Sequence, residues 1–154
     1  MTYFKEALTV MSEQFGQDTV MSLATVNDGK ANVRNINAYY KAGAFYITTY
    51  ALSRKMQEIA RNPSVALCYH LFVAHGEGEN LGHPLKTENL RLRNELKQVF
   101  SAFYDLHVDE TDANTCILKI TPTDALVFAN NYKYRLDFQK ATADREDFIV
   151  DIVF

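Results

Sequence analysis

Apolar residues recur along the chain with two periods, and the switches between them mark out its elements. Phe4, Leu8, Met11 and Phe15 are spaced four, three and four apart, which lays them on one face of a helix ended by Gly16. From Val20 to Val26 the stretch VMSLATV alternates large and small side chains without turn formers, as a strand does. Asn27-Asp28-Gly29-Lys30 follows, and an Asp-Gly pair tolerates the positive φ that a tight hairpin demands. The chain is expected to return antiparallel through ANVRNINAYY, turn at Lys41-Ala42-Gly43 and enter AFYITTY, a run of aromatic and β-branched residues. Ser53 then reads as the N-cap of a short helix, RKMQEIAR, with Met56, Ile59 and Ala60 on one face and Asn62-Pro63 as its stop.

Downstream, SVALCYHLFVA reads as one strand, and the glycines of HGEGENLGHP as a bend or bulge at its end. Leu92, Leu96, Val99, Phe100 and Phe103 predict a helix over residues 87–104, and DLHVDETDAN an acidic loop. TCILKITPTDALVFA reads as two strands joined at Thr121-Pro122-Thr123-Asp124, and YRLDF and FIVDIVF as β or irregular structure. At least six closely spaced strands with few, short helices predict a mainly β chain of the α+β type, built on a closed or partly closed antiparallel barrel with flanking helices. No repeat or long linker divides the sequence, so residues 1–154 are expected to form one domain.

Composition narrows the function. With 47% hydrophobic and 23% charged residues the chain is globular, and 154 residues suffice to bury about 70% of the unfolded surface. A net charge of -3 offers no basic field for a polyanion, so nucleic acid is not an expected partner. No apolar run approaches the roughly 20 residues that cross a bilayer, and MTYFKEALTVMSEQFGQ carries charge where a signal peptide is apolar. A cytoplasmic protein without membrane partners is expected. Cys68 and Cys116 read as buried small hydrophobes, and His70, His75, His83 and His107 lack the short pairing of a structural zinc site, so no metal is expected. Gly76, Gly78 and Gly82 have the wrong last spacing for a dinucleotide loop.

The informative stretch is residues 32–66. Thr48 and Thr49 close a strand, and Ser53, Arg54 and Lys55 open a helix a few residues later. Hydroxyls, free helix amides and two cations then meet at one corner, with Arg34 on the neighbouring hairpin strand within reach; a phosphate monoester needs that combination. An N-capped surface helix with solvated cations is the plainer alternative from spacing alone.

This stretch resembles the FMN-binding split β-barrel superfamily typified by the pyridoxamine 5'-phosphate oxidases. The matching pieces are VRNIN, FYITT, SRK and RNPSVAL, in the family's order and spacing. The resemblance implies a six-stranded antiparallel split β-barrel that binds FMN. Arg34 and Lys55 would clamp the FMN phosphate, with Ser53, Arg54 and Thr49 donating to it or lying alongside. Asn35, Ile36 and Asn37 would edge the isoalloxazine ring, and Thr48 would lie near its pyrimidine side. It also implies a homodimer with the flavin at the subunit interface, the SVALCYHLF strand of the second subunit, with His70, completing the pocket. The implied activity is an FMN-dependent oxidoreductase that reduces a small planar or unsaturated substrate, with no assigned protein acid or base. A non-catalytic flavin carrier or redox sensor, and the same barrel holding a deazaflavin coenzyme or haem, are the alternatives. The vitamin B6 oxidases carry a C-terminal arginine and histidine motif, whereas this sequence reads EDFIVDIVF there. The chain thus looks closer to short nitroreductase-like and stress-associated relatives of bacteria.

Overall fold

The structure is a computed structural model that describes residues 2–149. Helix α1 (Tyr3–Phe15) starts at Thr2, whose hydroxyl accepts from the Lys5 N–H, and buries Ala7, Val10, Met11 and Phe15. A meander follows: β1 (Thr19–Asn27), β2 (Lys30–Lys41) and β3 (Ala44–Tyr50). Its two hairpins are the ones the sequence marks, with Asp28 at φ 48° and Gly29 at 78°, and Ala42 at 48° and Gly43 at 90°. After α2 (Arg54–Arg61) come β4 (Ser64–Tyr69) and β5 (Phe72–Asn80). A 3-10 turn at Thr87–Asn89 leads into α3 (Leu90–Val99), then α4 (Tyr104–His107), β6 (Thr115–Ala129), β7 (Tyr132–Asp137) and β8 (Thr142–Asp147).

All pairings are antiparallel, in the order β3-β2-β1-β4-β5-β6-β7-β8, and an added β3–β6 pairing closes β1 to β6 into a barrel. The mainly β, six-stranded prediction therefore holds. Strands β7 and β8 continue the sheet beyond β6. There Arg145 of β8 bonds to Glu6 and lies over the rings of Tyr3 and Tyr132, tying the sheet to α1.

Several boundaries differ from the sequence reading. SVALCYHLFVA is a hairpin, β4 and β5, that turns at His70 and Leu71, with His70 at φ 52°. The stretch HGEGEN belongs to β5. TCILKITPTDALVFA is one bent strand: the register passes from His75↔Asp124 to Gly76↔Pro122, leaving Thr123 as the extra residue of a bulge. A Cβ on Gly76 would stand 2.8 Å from the Thr121 carbonyl oxygen, so glycine is what permits the bend. The predicted long helix breaks after Val99, where Phe100 caps α3. Its apolar residues still cluster: Leu96, Phe100 and Tyr104 cover Ile117 on the outer side of the barrel. Ala60 is exposed rather than sharing the buried face of α2 with Met56 and Ile59. Cys116 is buried as expected, whereas Cys68 is exposed on an outward-facing position of β4. Most of the FIVDIVF segment, residues 150–154, lies outside the described residues.

The two ends of the barrel are plugged by different helices. At one end Phe15 of α1 packs on Phe45 and Phe72. At the other, Met56 and Ile59 of α2 enter the core, and Gly78 lets Ile59 approach so closely that a Cβ there would lie 2.9 Å from its Cγ2. Between them the wall has an opening. Strands β2 and β3 pair at Tyr39↔Tyr46, Tyr40↔Phe45 and Lys41↔Ala44 and then part, β2 continuing along β1 and β3 along β6. Residues 34–38 and 47–50 thus present two facing strand edges without a ladder between them. Alternate backbone N–H and C=O groups on each edge turn into the opening. This is the split in the barrel.

Candidate functional site

The split ends at α2, and the alternation of the strands sorts the predicted residues between two faces. On β2, Arg34 shares the inward side with Ile36 and Ala38, while Asn35 and Asn37 face outward. On β3, Thr49 has the inward parity of Phe45 and Ile47 and pairs with buried Cys116. Thr48 faces outward and pairs with Ile117. Arg34, Thr49 and Lys55 therefore gather at the α2 end of the barrel interior, with Asn35, Asn37 and Thr48 on the outer lips.

The corner is electropositive and only partly neutralised. Burial, and then the neighbouring Arg34 guanidinium, hold the Lys55 ammonium below its ordinary pKa of 10.5. Lys55 has no carboxylate within ion-pair distance among the described residues. The Cys116 thiol beside it is pushed up to about 11 by burial and so stays neutral. Arg34 is pinned from one edge: its Nη1 donates to Thr25 Oγ1 at 2.7 Å and to the Leu23 carbonyl at 3.3 Å. Its Nη2 lies 3.7 Å from a carboxylate oxygen of Glu58. The Nε–Nη2 edge, which suits an oxyanion in bidentate fashion, donates to no hydrogen-bond acceptor among the described residues.

Helix α2 adds donors. Ser53 caps it, accepting the Met56 N–H at 3.4 Å, which leaves the hydroxyl proton free to donate outward. The Arg54 and Lys55 amides belong to the first turn and have no acceptor within the helix. The Arg54 side chain is exposed. On the outward face of β3, the buried Thr48 hydroxyl has no hydrogen-bond partner among the described residues.

Other predicted residues sit differently. The Ile36 side chain is in the core, so it offers the split its backbone alone. The Asn35 amide oxygen accepts from Ser22 at 3.2 Å, and Asn37 donates to Asp18 at 2.8 Å. His70 stands in the exposed turn at the α1 end, away from Lys55 within the same chain. Glu58, Thr25 and Asn32 were not among the predicted residues. Thr25 and Arg34 share the inward parity of β1 and β2 at the end α2 covers; two polar side chains facing inward there call for a partner, and Glu58 supplies it.

The chain matches the family described as "Pyridoxamine 5'-phosphate oxidase" over residues 9–128, a span running from α1 to the end of β6. The chain belongs to that family. No curated protein matches it in sequence. Among solved structures, a FAD-binding protein from Mesorhizobium loti superposes with a TM-score of 0.61 at 19% identity, over 79% of this chain and 90% of that one. A NimC/NimA family protein from Clostridium acetobutylicum gives 0.56 at 15% identity, over 94% and 93%. An F420 reductase gives 0.51 at 20% identity, over 74% and 94%. At these identities the likeness is one of fold. In this chain the arrangement sets a corner of two cations and first-turn helix amides beside a slot with open backbone edges. Among the described residues, no helix is long and apolar enough to cross a membrane.

The shift on Lys55 predicts a pH dependence. Its charged form is disfavoured in the folded chain, so its proton is lost at lower pH than from an ordinary lysine. A bound phosphate needs that charge, and the phosphate is itself fully ionised above a second pKa of about 6. Affinity for a phosphate monoester is therefore expected to hold from about pH 7 and to fall through the lowered Lys55 pKa, before the usual lysine range. Titration of the binding of a phosphate monoester against pH, with its dephosphorylated counterpart as the control, checks this.

Proposed function

We propose that this protein is an FMN-dependent oxidoreductase acting on a small, planar, uncharged acceptor such as a quinone or nitroaromatic. The observation that carries the reading is the meeting of Lys55, the α2 amides and the Nε–Nη2 edge of Arg34, which makes no hydrogen bond among the described residues, at the mouth of the split. Thr49, Ser53 and Arg54 supplement this phosphate corner, while backbone groups of Asn35, Ile36 and Asn37 and the unpartnered hydroxyl of Thr48 line the slot for the flat ring. Bound FMN would supply the two-electron chemistry; the chain's residues bind it, orient it and limit water at its edge. No residue is assigned as an acid or base.

The reading includes a cytoplasmic homodimer with the flavin at its interface. A run of outward positions crosses the sheet as Ser22, Cys68, Val73 and Leu126, with Val33 beside them at 70% exposure, an open face suited to a second copy. In such a dimer His70 of the second subunit would reach the flavin. A likeness in fold to an F420 reductase favours a deazaflavin coenzyme as the second reading. The absorption spectrum of freshly purified protein separates flavin, deazaflavin and haem. Steady consumption of a nicotinamide reductant with a quinone or nitroaromatic separates an oxidoreductase from a carrier or redox sensor. A flavin-loaded species sedimenting at 17.6 kDa would remove the dimer from the proposal. Pyridoxal phosphate formation is not expected, because Arg135 and Lys140 on the outer groove stand among Asp124, Asp137 and Asp144, whose charges oppose a second phosphate.

A further inference from the structure

We propose that Glu58 is the internal counter-ion of the phosphate corner: its carboxylate stands in for the ligand's phosphate when the site is empty and opposes it when the site fills. Glu58 thereby sets how tightly a phosphate-bearing flavin is held. The inference rests on the reading of this corner as a phosphate site.

Glu58 is 3% exposed, on the side of α2 that faces the barrel. A carboxylate so placed must be met by donors or a cation, and this one has both. One oxygen accepts from the Asn32 amide at 2.9 Å, and the other accepts from the Thr25 hydroxyl. That hydroxyl in turn accepts from Arg34 Nη1 at 2.7 Å, while Arg34 Nη2 stays 3.7 Å from the carboxylate. Arg34 is thus held through Thr25 and only loosely by direct ion pairing. Lys55, three residues before Glu58 on the same helix side, adds a second cation next to Arg34. Without Glu58, two cations would face one another in a partly buried corner with no anion to separate them.

Filling the site reverses the sign of this arrangement. A phosphate on the Nε–Nη2 edge of Arg34 shares the guanidinium with Glu58, and the two anions repel across it through a medium that screens less than water. Glu58 accordingly favours the empty protein and weakens phosphate binding. Removal of its charge at constant shape is expected to do the opposite.

The test is Glu58→Gln, which keeps length and shape and one acceptor oxygen while it removes the charge. The ligand-free variant should melt below wild type, bind FMN about tenfold or more tighter, and bind riboflavin as wild type does. FMN affinity that falls or stays level while riboflavin is unchanged overturns the proposal. Equal affinity of wild type for FMN and riboflavin would instead sink the phosphate reading itself. The counter-ion role is then decided on ligand-free protein by a cycle with Arg34→Gln. The loss of stability in Glu58→Gln should largely vanish in the double variant, since the unpaired cation has gone. An equal loss in both backgrounds overturns it. Should Glu58→Gln fail to fold, a folded double variant supports the proposal and an unfolded one defeats it.

Discussion

Replacing Lys55 or Arg34 with alanine is expected to weaken FMN binding about 10- to 100-fold, because a charge-assisted hydrogen bond contributes roughly 1.5 to 3 kcal/mol. The two substitutions should differ in kind. Lys55 is held in its charged state against burial and against Arg34, and its alanine variant relieves that strain as it removes the ligand contact. The folded protein should lose phosphate affinity with little loss of stability, or even a gain. Arg34 bonds to Thr25 and to the Leu23 carbonyl, so its alanine variant also strands Glu58 without a cation. That variant should lose stability and affinity together. Riboflavin binding should respond far less in either case. Isothermal titration with both flavins, beside thermal melts of each variant, checks the pattern; unchanged FMN affinity in both would reduce the corner to a capped surface helix.

This difference shows what the sequence could and could not carry. The order Arg34, Thr48-Thr49, Ser53-Arg54-Lys55 was legible because each piece lies in a short hairpin or at a helix start, where local chemistry dictates geometry. Asp28-Gly29 and Gly43 announce their turns through the left-handed φ that glycine, and to a lesser degree aspartate, supports. The turn at His70 and Leu71 contains no glycine, proline, asparagine or aspartate, so the apolar run through it looks like a single strand. Pro122 looked like a strand break because proline cannot donate to a ladder. The bulge beside Gly76 lets it remain inside one continuous strand, which pairs with β5 along one edge and with β3 and then β7 along the other. Glu58 was invisible for a different reason: in isolation a glutamate beside a helical apolar face reads as solvated. Its burial follows from where the barrel places Thr25 and Arg34, a long-range fact that one helix cannot reveal.

Closure of the barrel depends on the opposite end, and there the expected effect is largest for stability. Phe45 is fully buried, with its ring centroid 5.9 Å from Phe15, 5.1 Å from Tyr40 and 6.1 Å from Phe72. These contacts join α1, β2, β3 and β5 through one side chain, at the point where β2 and β3 are still paired. Phe45→Ala removes apolar surface and leaves a cavity whose walls are rings held by α1 and by other strands, so little collapse can refill it. A loss of about 3 to 5 kcal/mol is expected, a large share of the roughly 5 to 15 kcal/mol that folds a domain. Val33→Ala, on the exposed outer face at 70% exposure, should cost the isolated chain almost nothing and serves as the control. The anion corner lies at the far end, under α2. Chemical denaturation should therefore show the midpoint of Phe45→Ala well below wild type, while the molecules that remain folded hold FMN with near-normal affinity. A Phe45→Ala protein of wild-type stability would mean that α1 and β3 do not depend on each other for closure, and the account of the barrel as a vessel plugged at both ends would fail.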